Sequence, residues 1–535
     1  MSTVNLSEKE LNDLSKESLV QLAISLQSSI TDLTNTVNNL NETIKVMNQR
    51  KFGKKSETVS ALQLSFDFGM NEAEAISDKN EPEPELENVA PKRTRPKGKR
   101  AEDLQKITEH RDVTVDIPEE KLIEQFGENG WKRLPDELVT KLEHQPDAFV
   151  AITYHLAVYV AKKEDKIIRA ERPVELWPNS IATPSLLSSI IVAKYLNGVP
   201  LYRQEQRYNE NNVFINRTNM ANWIIKSSER YLRYYYLELK KKLVEMKYIH
   251  ADETPVLVSK DGRDSGTKSY MWVYRTRKGR GDPEIVLFDY QKTRSYEHPE
   301  AFLKDFIGTL ITDGYSSYHK LMKEHPDHFI VAGCWVHLKR KFADYIKALG
   351  NKKSKGTLAE KAIKKIQKIF HEDGKLDDVS KEERLKVRET EIKALVDDFF
   401  DWVRKQSKYI DSASQTGKAF TYALNQEQYL RTFLNDPEVP LQNNAAELSI
   451  RPFVTGRKNW VMIDTIKGAE ASAVMYSIAE TAKANQLKPY EYFTYLLSEL
   501  PKYVHDFNQE IPEHLFPWSD KFPKELFKNN TAVEN

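Results

Sequence analysis

Cysteine is nearly missing from this sequence. Cys334 is the only one in 535 residues, so no intramolecular disulfide can form. A structural zinc site built from several cysteines is excluded as well. No run of about 18 apolar residues occurs, and no membrane span is expected. The first residues, MSTVNLSEKE, lack the basic start and apolar core of a signal peptide. Together these absences point to a cytoplasmic protein. An excess of either charge is also lacking: 80 Lys and Arg against 79 Asp and Glu leave a net charge of +1. That balance neither supports nor excludes a nucleic-acid partner, because the electrostatic footprint depends on where charges cluster.

What is present suits a multidomain chain of about three to four domains. Residues 1–50 carry a heptad pattern: Leu26, Ile30, Leu33, Val37, Leu40, Ile44 and Met47 alternate spacings of four and three, with Leu19 and Leu22 before them. That period keeps one apolar seam toward a partner helix, as in a self-associating coiled coil; a lone amphipathic helix docked on its own protein has the same pattern. Residues 51–109 read as a linker. RKFGKKSET is basic, EPEPELE is acidic and broken by proline, and PKRTRPKGKR holds six basic residues in ten. The last tract, with Lys92, Arg93 and Arg95, can neutralise DNA phosphates without ordering itself, or serve as a solvated linker.

Residues 110–178 alternate in the manner of short strands and read as a small β module. Residues 179–236 turn helical, as TPSLLSSIIVAKYLNG, PLYRQEQRYNENN and RTNMANWIIKSSERYL. Three short helices suit a helix-turn-helix unit, with Arg217, Thr218, Asn219 and Asn222 near the start of a recognition helix; a helical spacer fits the same pattern. Within 237–485, YIHADETPVLV, SYMWVYRTRK and EIVLFDYQ are strand-like, then HPEAFLKDFIG helical, and GTLITDG and HFIVAGC strand-like again. That order is the order of an RNase H-like mixed α/β sheet. A lysine-rich helical insertion over about 342–425 interrupts it, and 486–535 form a C-terminal tail.

Asp252 lies in one of those strands, Asp313 ends another before Gly314, and Glu447 sits on the helix begun by Asn443 and Asn444. Carboxylates are the ligands that hard divalent cations take, and paired cations suit phosphoryl transfer. Singly, an Asp before Gly is usually a turn residue and a helical Glu usually faces water.

The wording of the motifs is more specific. IHADETPV, ITDGYSSY and NNAAELSIRPFVTGRKNW strongly resemble the catalytic segments of the insertion-sequence 66 family of transposases. The resemblance continues through TPSLLSSIIVAKYLNGVPLYRQEQ, AGCWVHLKRKF and YSIAETAKANQLKPYEY, about four-fifths of the chain in all. It implies a DDE transposase with an RNase H-like fold and a Mg²⁺ or Mn²⁺ requirement. Asp252, Asp313 and Glu447 become its catalytic and metal-binding triad. Transposon-end DNA and target DNA become its partners, with a homo-oligomer formed through the coiled coil and small accessory proteins of the element as further ones. Strand cleavage would free a 3′-hydroxyl that then attacks target DNA.

One stretch departs from the pattern. Similar proteins carry a cysteine-rich, zinc-like module after DIPEE; here KLIEQFGENGW holds no cysteine, so no zinc is expected, and Trp131, Phe149 and Tyr154 are expected to hold the module instead. Cys334 and His337 form a Cys-x-x-His, either a buried thiol beside a hydrogen-bonded histidine or a pair that shapes the site. Arg451, Arg457, Lys458, Asn459 and Trp460 follow Glu447. They suit phosphate clamping and base stacking, or a core tryptophan among solvated charges.

Overall fold

The alternating run FVAITYHLAVYVA forms the central strand of a four-stranded sheet. In the computed structural model, residues 15–52, 109–145, 148–162, 166–172, 175–177, 180–264, 266–277, 282–349, 355–503 and 510–528 are described. They divide into two units: residues 109–308, 327–329 and 444–528 in one, and 15–52, 309–326 and 330–443 in the other.

The first unit begins with β1 (Glu109–Val115), β2 (Trp131–Gln145), β3 (Ala148–Ala161) and β4 (Ile167–Arg169). β1 runs parallel to β3, while β2 and β4 run antiparallel to it. The β2 register shifts between Leu134 and Glu137, across Pro135, which has no N–H for the ladder. Where the sequence pattern suggests only strands, EEKLIEQF forms a helix, Glu119–Phe126, that stops at Gly127 with φ 77°. Its Leu122 joins Leu156, Ala157, Tyr159 and Ala170 in a small core bordered by Trp131 and Tyr154. Phe149 turns away and meets Tyr208 edge-on at 4.9 Å.

Three helices follow, Pro184–Tyr195, Leu201–Glu210 and Arg217–Ser227. Pro184 opens the first, and the Thr183 hydroxyl caps it by accepting the Leu186 N–H at 3.2 Å. β5 (Tyr248–Lys260), β6 (Lys268–Thr276) and β7 (Val286–Gln291) then form an antiparallel meander. Helix Ile466–Ala484 covers the outer edge of β7: Ser477 Oγ accepts the Phe288 N–H at 2.7 Å, and Thr481 Oγ1 both accepts from and donates to Val286 at 3.0 Å. Those hydroxyls satisfy backbone groups that an open sheet edge leaves bare. Helix Pro489–Tyr503 packs on Pro184–Tyr195 and buries Phe493, Leu496, Leu497 and Leu500, each worth about 1.5–3 kcal/mol relative to exposure.

β8 (Gly308–Thr312) and β9 (Phe329–Gly333), which belong to the second unit apart from Gly308 and Phe329, are neighbours, with helix Ser316–Glu324 between them in sequence. Five helices follow, Trp335–Leu349, Leu358–Gly374, Lys381–Val387, Lys393–Ser407 and Gln415–Leu430. Trp335 meets Phe399, Phe400 and Phe433 edge-on in their core. The heptad segment is one helix, Lys16–Phe52, which touches Trp335–Leu349. No described helix is long and apolar enough to cross a membrane.

Candidate active site and nucleic-acid contacts

Asp252 lies inside β5, opposite Val273 of β6, and is 8% exposed. Its Oδ1 accepts the N–H of Glu253 at 2.9 Å. β5 is buried almost continuously from Tyr248 to Val256, as a strand covered on both faces must be. Alternation sends Glu253 to the opposite face from Asp252. There its buried carboxylate accepts the Arg294 Nε–H at 2.8 Å, which leaves the two neighbouring acids in separate environments.

Glu447 stands in the first turn of helix Asn444–Trp460, half-buried. Two arginines lay this helix on the meander. Arg275 of β6 donates to Ser449 Oγ at 3.0 Å, and Arg457 donates to Thr254 Oγ1 at 3.2 Å and to the Pro255 carbonyl. Asp252 and Glu447 thus ride on elements that pack together within one unit.

Asp313 belongs to the other unit. It is half-buried in the turn after β8, where its Oδ1 accepts the Tyr315 N–H at 3.0 Å. The Tyr422 hydroxyl holds the Asp313 carbonyl at 2.7 Å. Gly314 follows with φ 93°, and a Cβ there would come within 2.9 Å of the Tyr422 hydroxyl and 2.8 Å of Gln426 Oε1. Only glycine meets both demands. All three candidate carboxylates offer oxygen donors alone, the set suited to Mg²⁺ or Mn²⁺.

Cys334 is buried after β9, and its Sγ accepts the Asn443 N–H at 3.2 Å. The Trp335 N–H binds the Leu441 carbonyl at 2.8 Å, so this corner anchors the segment leading to the Glu447 helix. His337 is half-buried, with Arg340 Nη1 3.2 Å from its Nε2.

The residues expected to meet DNA fall into different settings. Arg217 is exposed at the start of its helix, with its guanidinium 5.4 Å from the centre of the exposed Tyr202 ring. Asn216 caps that helix by accepting the Asn219 N–H at 2.8 Å. Asn219 is half-buried, Thr218 and Asn222 are exposed, and Met220, Trp223 and Ile224 form the inward face. Arg451 is half-buried and Lys458 exposed. Arg457 holds β5, while Asn459 donates to the Gly198 carbonyl at 2.9 Å. Trp460 is half-buried against Phe453, edge-on at 5.5 Å. Lys92, Arg93 and Arg95 lie outside the described residues.

A family model described as "Transposase IS66 family" matches residues 179–471, a span that contains Asp252, Asp313 and Glu447. The chain belongs to the IS66 transposase family. An "IS66 C-terminal element" matches residues 477–518, and "Transposase C of IS166 homeodomain" matches residues 39–108. Similar proteins include the uncharacterized protein y4qI of Sinorhizobium fredii, 28% identical over 90% of this chain and 89% of its own. The uncharacterized protein y4hP of the same organism is 26% identical over 70% of this chain and 69% of its own. Membership in the IS66 family associates the chain with DNA transposition and DNA binding.

Sequence reasoning passed over three groups near these residues: the Glu253–Arg294 pair, the Arg275 clamp, and the Tyr422–Gln426 brace of the Asp313 turn. Glu253 sits in the DET motif and was open to notice. Gln426 lies 113 residues after Asp313, in a helix with no motif to mark it.

Proposed function

We propose that this IS66 family member is a DDE transposase that binds the terminal inverted repeats of its element, cleaves the phosphodiester to free 3′-hydroxyl ends and joins them to target DNA. The family match across Asp252, Asp313 and Glu447 carries the reading. The succession of β5, β6, β7, helix Glu297–Phe302, β8, helix Ser316–Glu324 and β9 supports an RNase H-like core. Asp252, Asp313 and Glu447 are the residues that would hold divalent cations, Mg²⁺ or Mn²⁺. When bound, such ions activate the attacking oxygen and stabilise the leaving one in an in-line displacement. The chain's own part is positioning. The Arg275 and Arg457 clamps fix the Glu447 helix on the strands beside Asp252, while Tyr422 and Gly314 fix the backbone at Asp313. Arg217, Arg451 and Lys458 are the cations offered to phosphates or base edges, and the Lys16–Phe52 helix is the device for bringing two DNA ends together in a homo-oligomer.

The test incubates the full chain with labelled terminal-repeat duplexes, Mg²⁺ and a target plasmid. Joined product is the expected outcome. Cleavage without joining would mark a nuclease, and binding without cleavage a DNA-binding protein. Asp252→Asn, Asp313→Asn and Glu447→Gln each remove a ligand charge with little change of shape. Each should lower joining more than about a hundredfold while DNA binding persists. Normal joining by any one of them removes that residue from the site.

A further inference from the structure

Among the described residues, Tyr202 and Phe214 are the aromatic side chains most open to solvent, at 51% and 49%. Both belong to the helical segment that carries Arg217, wholly within one unit. The Arg217 guanidinium lies over the Tyr202 ring, whose hydroxyl accepts the Gln206 side-chain N–H at 3.0 Å. Phe214 stands in the turn between helices Leu201–Glu210 and Arg217–Ser227, three residues before Arg217. Its neighbours in the chain decide where it points. Val213 and Ile215 are both buried, and the Val213 N–H donates to the Tyr208 carbonyl at 2.9 Å. Asn212 enters the turn at φ 58°, a conformation that asparagine tolerates. With both flanking side chains anchored inside, the Phe214 ring is held outside, and it forgoes the stabilisation that burial gives an aromatic side chain. A partner can restore it.

Charge points to the partner. Arg203, Arg207, Arg217 and Lys226 are exposed on these two helices, against an exposed Glu210 and a half-buried Glu205. That excess suits a phosphate backbone. A helix that opens with Arg217, Thr218 and Asn219 addresses base edges in the major groove, and a ring three residues ahead of it arrives at the same groove. Bases in a duplex are stacked on one another, so such a ring meets their edges and not their faces. The edges of guanine, adenine and cytosine present hydrogen-bonding groups there, whereas thymine adds a methyl group. Phenylalanine has nothing to offer a donor or an acceptor, and the methyl is the group it can match.

We propose that Phe214 is a specificity-determining residue, which reads one thymine of the terminal repeat by packing its ring on the C5-methyl group in the major groove. The proposal rests on the reading of Arg217–Ser227 as the helix that meets the transposon end, and it names a base which that end must contain. Arg217, steadied by Tyr202, faces the base edge alongside.

The experiment measures binding of the full chain to terminal-repeat duplexes in which deoxyuridine replaces each thymine in turn, a change that removes the methyl group and nothing else. One position is expected to lose about fourfold in affinity, the worth of one buried methyl. Phe214→Ser should weaken binding to the unmodified repeat by a similar factor, more than to random DNA, and deoxyuridine at that position should then cost nothing further. Phe214→Leu, which keeps an apolar side chain, should retain the sensitivity. Indifference to deoxyuridine at every position overturns the proposal, as does a sensitive position that stays equally sensitive in Phe214→Ser. Arg217→Ala with Asn219→Ala separates the two levels. If that variant loses the same affinity for terminal repeats and for random DNA, the recognition-helix reading fails and the thymine assignment with it. If it discriminates while no thymine methyl matters, only the thymine assignment falls.

Discussion

Arg388 is 1% exposed, and every one of its guanidinium nitrogens is bonded inside the fold. Nε and Nη2 meet the two Asp373 oxygens at 2.7 and 3.0 Å, and Nη1 donates to the carbonyls of Phe433, Asp436 and Val439 at 3.0, 2.8 and 2.9 Å. It fastens the helical insertion to the segment that leads toward Glu447. Arg388→Met would leave a buried carboxylate and three carbonyls unmatched, and should destabilise by about 3–5 kcal/mol in chemical denaturation of the full chain. A loss below about 1 kcal/mol would show that the segment is held by its apolar contacts alone. Asp289 makes the opposite case. Burial raises its carboxyl to about 6, against help from Gln291 and the cations of Lys240 and Arg233. Between its ordinary 3.8 and about 6 the folded chain keeps a proton that the unfolded chain has released, so its contribution is fullest at low pH and is lost as pH rises through 6. Asp289→Asn should therefore leave stability near pH 4 almost unchanged and raise it at pH 7 by roughly 2 kcal/mol. Thermal unfolding at the two pH values checks this; an equal effect at both would count against a raised carboxyl.

Among the described elements, the helix Lys16–Phe52 turns an apolar seam outward. Leu26, Ile30, Leu33, Val37 and Ile44 are each more than half exposed, while the side chains of Leu40 and Met47 lie outside those described. A charged pair on that seam, Leu26→Asp with Leu33→Asp, should split an oligomer held by it and leave the two units folded. Light scattering of wild type and variant decides: an unchanged mass would make the helix an internal prop resting on Trp335–Leu349. The heptad spacing was enough to predict this helix, because a periodic pattern of seven apolar positions is a local property. Glu119–Phe126 was missed for a related reason. Eight residues between strands give too few turns for a 3.6-residue period to stand out.

For the whole molecule, two modes of DNA contact are expected. The Lys92–Arg100 tract should supply charge and counterion release without reading sequence, whereas Arg217 and Asn219 stand at a capped helix start, where a bidentate contact discriminates bases by about 1–3 kcal/mol. Neutralising the tract should weaken binding to all duplexes and flatten the salt dependence. Arg217→Ala with Asn219→Ala should cost more on terminal repeats than on random DNA. Paired salt titrations measure both, and equal losses on the two duplexes would make the helix a spacer. Legibility divides along the same lines. The acids in HADET, TDG and NNAAEL, and the helices around 184–227, could be read in the chain because motifs, caps and periodicity are written in neighbouring residues. Reassignment came from contacts between distant ones. Arg457, a candidate phosphate clamp in the sequence, donates to Thr254 in the fold, and Asn459 beside it donates to the Gly198 carbonyl. By itself the sequence determined which candidate acids and cations were available and on which elements they ride. Only tertiary structure decided which cations brace the fold and that Phe214 stands outside while Val213 and Ile215 are buried, because burial and long-range pairing are properties of packing that no local pattern encodes.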